Sequence, residues 1–337
     1  MIKIDEKNIS QSKHITVEFF YNSTKEKFKL TACNEGEGFE RLIPEHNLHR
    51  PGLALAGFLD LFTFNRIQVL GNTEMRFLRQ LTPEARLDCL SKIFSFNVPC
   101  FILTNDNYPS DEMMQLAHMH KIPIFVTPYP TTKLFYLVSD FLDDQFSLRL
   151  TLHGSFVDVY GVGMLFVGKS GIGKSEVALD LVERGHRMVA DDVVIFTKKG
   201  EGILMGSGTQ LVKHFMEVRG IGLIDIRSMF GVRAIRFQKR LEVVIELEIW
   251  DENSEYTRTG LDETHINLLD VEIPFIKLPI LPGKNITVIS EVIALNYLLK
   301  HYGYDAAQVF NDRLMEQLQQ KTQKTDRAIN YFEHDFE

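Results

Sequence analysis

The sequence predicts an α/β protein of two domains: a small amino-terminal α/β domain and a larger carboxyl-terminal domain built on a phosphate-binding loop (P-loop). Three observations point there. The chain has 337 residues, roughly twice the common size of a single domain. Its first third alternates short apolar runs with capped helical runs, the pattern of a parallel or mixed sheet with helical crossovers. Farther on, Gly168-Lys-Ser-Gly-Ile-Gly-Lys174-Ser175 matches the G-x-x-x-x-G-K-[ST] pattern in full. Pro128-Tyr129-Pro130 punctuates the chain between the two patterns, so the boundary is expected there. Residues 1–130 then form the first domain and residues 131–337 the second, with a polar carboxyl-terminal tail.

Composition narrows the function classes. With 45% hydrophobic and 24% charged residues, the chain is that of a globular protein with a sizeable core. Its net charge of -8 argues against broad binding to nucleic acid or an anionic membrane. Cys33, Cys89 and Cys100 are odd in number and show no Cys-x-x-Cys spacing, so neither a disulfide framework nor a zinc ribbon is expected. Met1 to Ser10 lacks the apolar stretch of a signal peptide, and no run approaches the roughly 18 apolar residues of a membrane span. A cytoplasmic protein without membrane partners is the expectation.

In chain order, Arg66 to Leu70 reads as a strand. Thr82-Pro83-Glu84 then supplies an N-cap, a first-turn proline and a first-turn acid for a helix running towards Phe96. Cys100 to Thr104 is a second strand, Ser110-Asp111-Glu112 opens a helix to about His120, and Ile122 to Val126 is a third strand. His118 and His120 stand two apart on that helix and point in different directions, so they are read as helix-end residues rather than a metal pair. The first domain offers no recognisable chemistry. A helix capped by Thr131 or Thr132 is expected to open the second domain.

The phosphate loop has the right surroundings. Met164 to Val167 is an apolar strand, and Glu176 to Glu183 is a helix stopped by Gly185, where a left-handed C-cap belongs. In such a loop the backbone N–H groups, the helix N-terminus and Lys174 converge on phosphate oxygens, while the Ser175 hydroxyl helps to hold Mg²⁺. The helix from Gly173 to about Arg184 spans some 18 Å at 1.5 Å per residue, and the strand from Arg187 to Ala190 and on returns about as far. Asp191 and Asp192 therefore come back beside the phosphates, placed to hold Mg²⁺ or to take a proton from a hydroxyl. Upstream, Ser155 to Val159 and Gly163 to Val167 form a hairpin about Tyr160-Gly161. Centred between residues 160 and 161, that hairpin puts His153 opposite Gly168, at the mouth of the site, where an imidazole suits proton transfer or charge stabilisation.

The run His153-Gly154 through the loop to Gly185-His186-Arg187-Met188-Val189-Ala190-Asp191-Asp192 resembles the bacterial HPr kinase/phosphorylase family. Glu217-Val218-Arg219-Gly220-Ile221-Gly222-Leu223-Ile224-Asp225 is similar to that family's signature segment. Tyr256 to Glu263 and Leu278 to Asn285 continue the likeness, which is strong from about residue 131 to 312. The resemblance implies a catalytic domain similar to that of phosphoenolpyruvate carboxykinase. It also implies a bifunctional enzyme, usually a homohexamer, that phosphorylates a serine of the phosphocarrier protein HPr with ATP or pyrophosphate. The same enzyme removes that phosphate by phosphorolysis with inorganic phosphate, giving pyrophosphate, and so regulates carbon metabolism.

Position by position, the resemblance assigns Gly168, Lys169, Ser170, Gly171, Ile172, Gly173, Lys174 and Ser175 to the nucleotide or pyrophosphate. Lys174 falls on the transferring group, and Ser175 and Glu217 on Mg²⁺. One of the acidic pair, with Asp192 favoured over Asp191, is the base for the HPr serine and the acid in reverse; His153 and Arg258 assist. The signature residues Met216, Glu217, Val218, Arg219, Gly220, Ile221, Gly222, Leu223, Ile224 and Asp225 serve both directions. Pro279, Ile280, Leu281, Pro282, Gly283 and Lys284 serve mainly dephosphorylation.

Lys169 stands where many family members carry an acid, which leaves the choice between ATP and pyrophosphate open. The His-Arg-Asp and Asp-Phe-Gly kinase signatures and the Asn-Lys-x-Asp guanine motif do not occur. A small-molecule kinase and a nonenzymatic nucleotide switch are the alternative readings of the loop. The acidic total conceals a basic stretch: residues 211–240 carry seven cations (Lys213, Arg219, Arg227, Arg233, Arg236, Lys239 and Arg240) against Glu217 and Asp225. Such a stretch suits phosphate or a protein partner. Glu316 to Glu337 is polar and reads as a frayed tail or a partner contact.

Overall fold

The structure, a computed structural model, describes residues 8–200, 202–209, 213–250, 264–281 and 283–323. It divides into two compact units, Ser10–Arg149 and Leu150 onward.

In the first unit, strands Leu48–His49, Ile67–Leu70, Phe101–Leu103 and Ile124–Val126 lie side by side in chain order and parallel, with Thr31–Ala32 antiparallel at the edge. These strands are apolar at nearly every position because both faces are covered, as a parallel sheet requires. Leu70, Phe101, Leu103, Ile124 and Val126 pack on one side with the helices Pro83–Phe94 and Asp111–His120. Val69, Ile102 and Phe125 pack on the other with Val17–Phe28 and Thr131–Phe146. The caps fall where the sequence puts them: Ala85 N–H donates to Thr82 Oγ1 at 3.3 Å, and Met113 N–H to Ser110 Oγ at 3.4 Å. His118 Nδ1 lies 2.8 Å from Glu37 Oε2, an exposed pair rather than a metal site.

The boundary is corrected. Helix Thr131–Phe146 closes the first unit instead of opening the second, because its Leu134, Val138 and Leu142 are fully buried among Phe20, Phe28, Ile43 and Phe125. Burying each such side chain contributes about 1.5–3 kcal/mol, which outweighs the proline punctuation before it. Thr131 does not cap the helix; Pro130 holds the cap position, and the Thr131 hydroxyl bonds that of Thr104 at 2.6 Å.

The second unit is layered around a six-stranded mixed sheet in the order Arg187–Ala190, Ser155–Val159, Val162–Gly168, Val243–Ile249, Val271–Ile280, His265–Leu268. The three strands Val162–Gly168, Val243–Ile249 and Val271–Ile280 are parallel. Met164, Phe166, Ile245 and Leu247 face the helices Lys174–Glu183 and Ile286–His301 through Ala178, Leu181, Ile286 and Ala294. The alternate residues Phe156, Leu165, Val167 and Val244 face a second sheet through Leu152, Val194, Phe196 and Leu204. The chain beyond Leu314 is less frayed than expected: good helix formers there carry the helix Ala306–Gln323.

If helix Thr131–Phe146 belongs to the first unit, residues 10–149 alone unfold cooperatively in urea, and Leu134→Ala costs about 2–5 kcal/mol. A fragment ending at residue 130 gives no cooperative transition. A stable fragment of that length would overturn the boundary.

Candidate active site

The hairpin that delivers the phosphate loop has the expected register, from Val159 opposite Val162 to Ser155 opposite Phe166. At its end the chain approaches its neighbour so closely that only glycine fits. A Cβ on Gly168 would stand 2.5 Å from the Leu247 carbonyl oxygen, and its φ is +143°. The loop then enters helix Lys174–Glu183, whose first N–H groups have no partner within the helix and point towards the loop. Lys174 Nζ reaches across it to donate to the carbonyls of Gly168 (3.2 Å) and Lys169 (3.3 Å). At the far end, Gly185 N–H bonds Val182 O and His186 N–H bonds Leu181 O, each at 3.0 Å, closing the helix with a left-handed glycine as predicted.

Strand Arg187–Ala190 brings the two acids back to the loop and turns them opposite ways. Asp191 is 4% exposed. Its Oδ1 accepts from Ser155 Oγ at 2.5 Å, and Ser175 Oγ lies 2.9 and 3.1 Å from its two oxygens. Burial pushes the Asp191 carboxyl above the usual carboxylate range, and the two hydroxyls oppose that shift. Asp192 sits in the left-handed region at φ +65°, its carbonyl held by Gly154 N–H at 3.0 Å and its side chain 73% exposed. His153 Nδ1 stands 3.7 Å from Asp192 Oδ1. His153 is thus beside the acid and does not pair with Gly168, since the hairpin ladder ends at Ser155 and His153 belongs to the preceding strand Arg149–His153.

The signature segment is a second hairpin, with Phe215–Val218 paired to Gly222–Asp225 and Glu217 opposite Leu223. Met216 and Val218 are buried in the core beside the loop helix, so alternation turns Glu217 and then Arg219 to the exposed face. Arg219 reaches the phosphate loop, with Nη2 3.5 Å from Ser170 Oγ. Ile221 and Leu223 are exposed, and Asp225 caps the short helix Ile226–Phe230, accepting from Ser228 N–H at 3.1 Å. Pro279 and Ile280 end the third parallel strand: Gly168 is level with Leu247 and Leu247 with Leu278. The segment thus leaves the sheet at its carboxyl edge, as the phosphate loop does. Leu281, Gly283 and Lys284 lead to Asn285, which caps the next helix. Arg258 and Pro282 lie outside the described residues.

Sequence reasoning missed Ser155, whose hydroxyl is buried on Asp191, although the predicted register already set it opposite Phe166, two residues before the loop opens at Gly168. It also missed Glu291, which binds Arg184 at 2.7 Å and His186 at 3.0 Å across the two helices. His186, within the resembling run, is therefore a buried structural residue.

Comparison with known proteins comes from the same stretches. The family model of the HPr serine kinase N terminus matches residues 15–142, and that of the HPr serine kinase C-terminal domain matches residues 144–314. The HPr kinase/phosphorylase of Chloroherpeton thalassium is 54% identical over 332 residues, 97% of this chain and 98% of the relative. That of Prosthecochloris aestuarii is 49% identical over 339 residues, covering 100% of both chains. The solved structure of the Hpr(Ser) kinase/phosphatase from Coxiella burnetii is 33% identical and covers 48% of this chain and 97% of its own, with a TM-score of 0.43.

Burial of Asp191 has a stability consequence. A carboxyl whose folded pKa lies above its unfolded value costs stability as pH rises from the unfolded towards the folded value, and that cost persists above it. Asp191→Asn is therefore expected to raise the thermal midpoint at pH 7, and the gain to fade towards pH 4. A lower midpoint at pH 7 would contradict the reading.

Proposed function

The chain belongs to the HPr kinase/phosphorylase family, and we propose that it phosphorylates a serine of HPr with ATP or pyrophosphate and reverses this with inorganic phosphate. The observation that carries the reading is the split pair of acids: Asp191 buried on Ser175 of the phosphate loop, Asp192 exposed beside His153. An exposed acid next to a phosphate loop suits a hydroxyl presented by another protein.

In the forward direction Asp192 takes the serine proton while the serine oxygen bonds the terminal phosphorus and the bridging oxygen leaves with the remaining phosphate. In reverse, a phosphate oxygen attacks the phosphoserine phosphorus, the serine oxygen leaves with the proton from Asp192, and pyrophosphate forms. Lys174 and the helix N-terminus stabilise charge on the transferring group. His153, 3.7 Å from Asp192, stands where that proton is handled, and Arg258 adds positive charge by family likeness.

The donor set fits Mg²⁺. Hard divalent ions take oxygen ligands and keep several waters, and the Ser175 hydroxyl with the Asp191 carboxylate offers such oxygens at the loop, with Glu217 on the exposed face of the neighbouring hairpin. When bound, the ion neutralises phosphate charge. Asp191 would hold it and Ser175 would orient it.

The reading also includes a homohexamer in the cytoplasm. Val288, Val292, Leu295 and Leu299 form an exposed apolar stripe on helix Ile286–His301, which favours self-association. Among the described residues no helix is long and apolar enough to cross a membrane.

With purified HPr, ATP and Mg²⁺, one serine becomes labelled. Excess phosphate then removes the label and releases an equal amount of pyrophosphate. Lys174→Ala is expected to lower both rates by about 10²-fold or more. Labelling of a metabolite in place of HPr would favour the small-molecule kinase reading instead.

A further inference from the structure

The fold delivers a second cation to the phosphate loop from another element. Arg219 directly follows strand Phe215–Val218, whose buried Met216 and Val218 fix its height against the loop helix. Its guanidinium lies on Gly171 so closely that a Cβ there would meet Nη1 at 2.3 Å. Gly171, at φ +79°, is therefore a seat for the guanidinium as well as a turn residue. Among the described residues Arg219 has no carboxylate partner; its side chain meets the Ser170 hydroxyl at 3.5 Å. A guanidinium so placed presents a flat fork of donors to phosphate oxygens at low desolvation cost. Lys169, exposed on the same loop, adds a further charge.

These cations do not act equally on the two donors. Pyrophosphate carries all its charge on the phosphates that such a loop holds. ATP carries a sugar and a base as well, which offer binding contacts that do not depend on charge at the loop. Positive charge at the loop thus carries a larger share of pyrophosphate recognition. We propose that Arg219 is a donor-contacting residue which, with Lys169, biases this enzyme towards pyrophosphate over ATP. With pyrophosphate the serine oxygen–phosphorus bond forms, the bridging oxygen–phosphorus bond breaks, Asp192 takes the proton and inorganic phosphate leaves. The proposal rests on the HPr kinase/phosphorylase reading above.

The test measures kcat/KM for HPr phosphorylation with each donor in the full chain and in Arg219→Ala, Arg219→Lys and Lys169→Asp. The parent is expected to favour pyrophosphate. Arg219→Ala should lose about 100-fold with pyrophosphate and about tenfold with ATP, and added guanidinium should restore part of the pyrophosphate activity, which a merely structural role would not allow. Arg219→Lys should fall between, and Lys169→Asp should lower the ratio of pyrophosphate to ATP activity. If the parent uses both donors and Arg219→Ala loses equally with each, or nothing, the proposal fails while the functional reading stands. If the parent labels HPr with neither donor, both fail.

Discussion

The carboxylate of Asp191 is the point on which the rest of the site depends. It ends one strand, accepts from Ser155 on the next strand, and meets Ser175 in the first turn of the loop helix. Three elements are thus pinned to one buried acid. Removing a carboxylate from water is costly unless hydrogen bonds or a counter-charge replace the lost solvent. Two hydroxyls do so only in part, which is why burial dominates its titration. A buried acid held at some cost next to a phosphate loop is the expected mark of a group kept for binding rather than stability.

Its neighbour is held by the opposite means. Two successive residues at a strand end point to opposite sides, and the left-handed backbone at Asp192 completes the turn outward. A non-glycine residue in that region is strained, and the Gly154 bond to its carbonyl keeps it there. One acid faces the loop and the other faces solvent beside His153. A shift of one residue would exchange these environments. The pairing of strand Arg187–Ala190 with Ser155–Val159, which sets Ala190 opposite Phe156, prevents it.

Much of this was legible in the chain. The loop pattern, the Gly185 stop and the strand return are local features, so a helix length and a strand length sufficed to bring both acids to the loop. Which acid was buried was not legible, because it depends on Ser155 in a different strand. His153 was placed by extrapolating a ladder that stops at Ser155, and the helix after Pro130 was assigned by punctuation when its Leu134, Val138 and Leu142 face decides where it packs. Glu217 and Arg219 were brought to the site by the family resemblance alone, and the burial of Met216 and Val218 is what sets the face of their hairpin. In the first unit the described parallel strands lie in chain order, without the reversal at which α/β sheets open a ligand crevice.

The division of labour between the two acids is tested most directly by measuring Mg²⁺-dependent ATP binding and HPr turnover in Asp191→Asn and Asp192→Asn side by side. Asp192→Asn should bind Mg–ATP within about threefold of the parent while turnover falls by about 10³-fold or more in both directions. Asp191→Asn should lose the Mg²⁺-dependent part of binding. The reverse pattern, with binding lost at Asp192 and proton transfer lost at Asp191, would contradict the account.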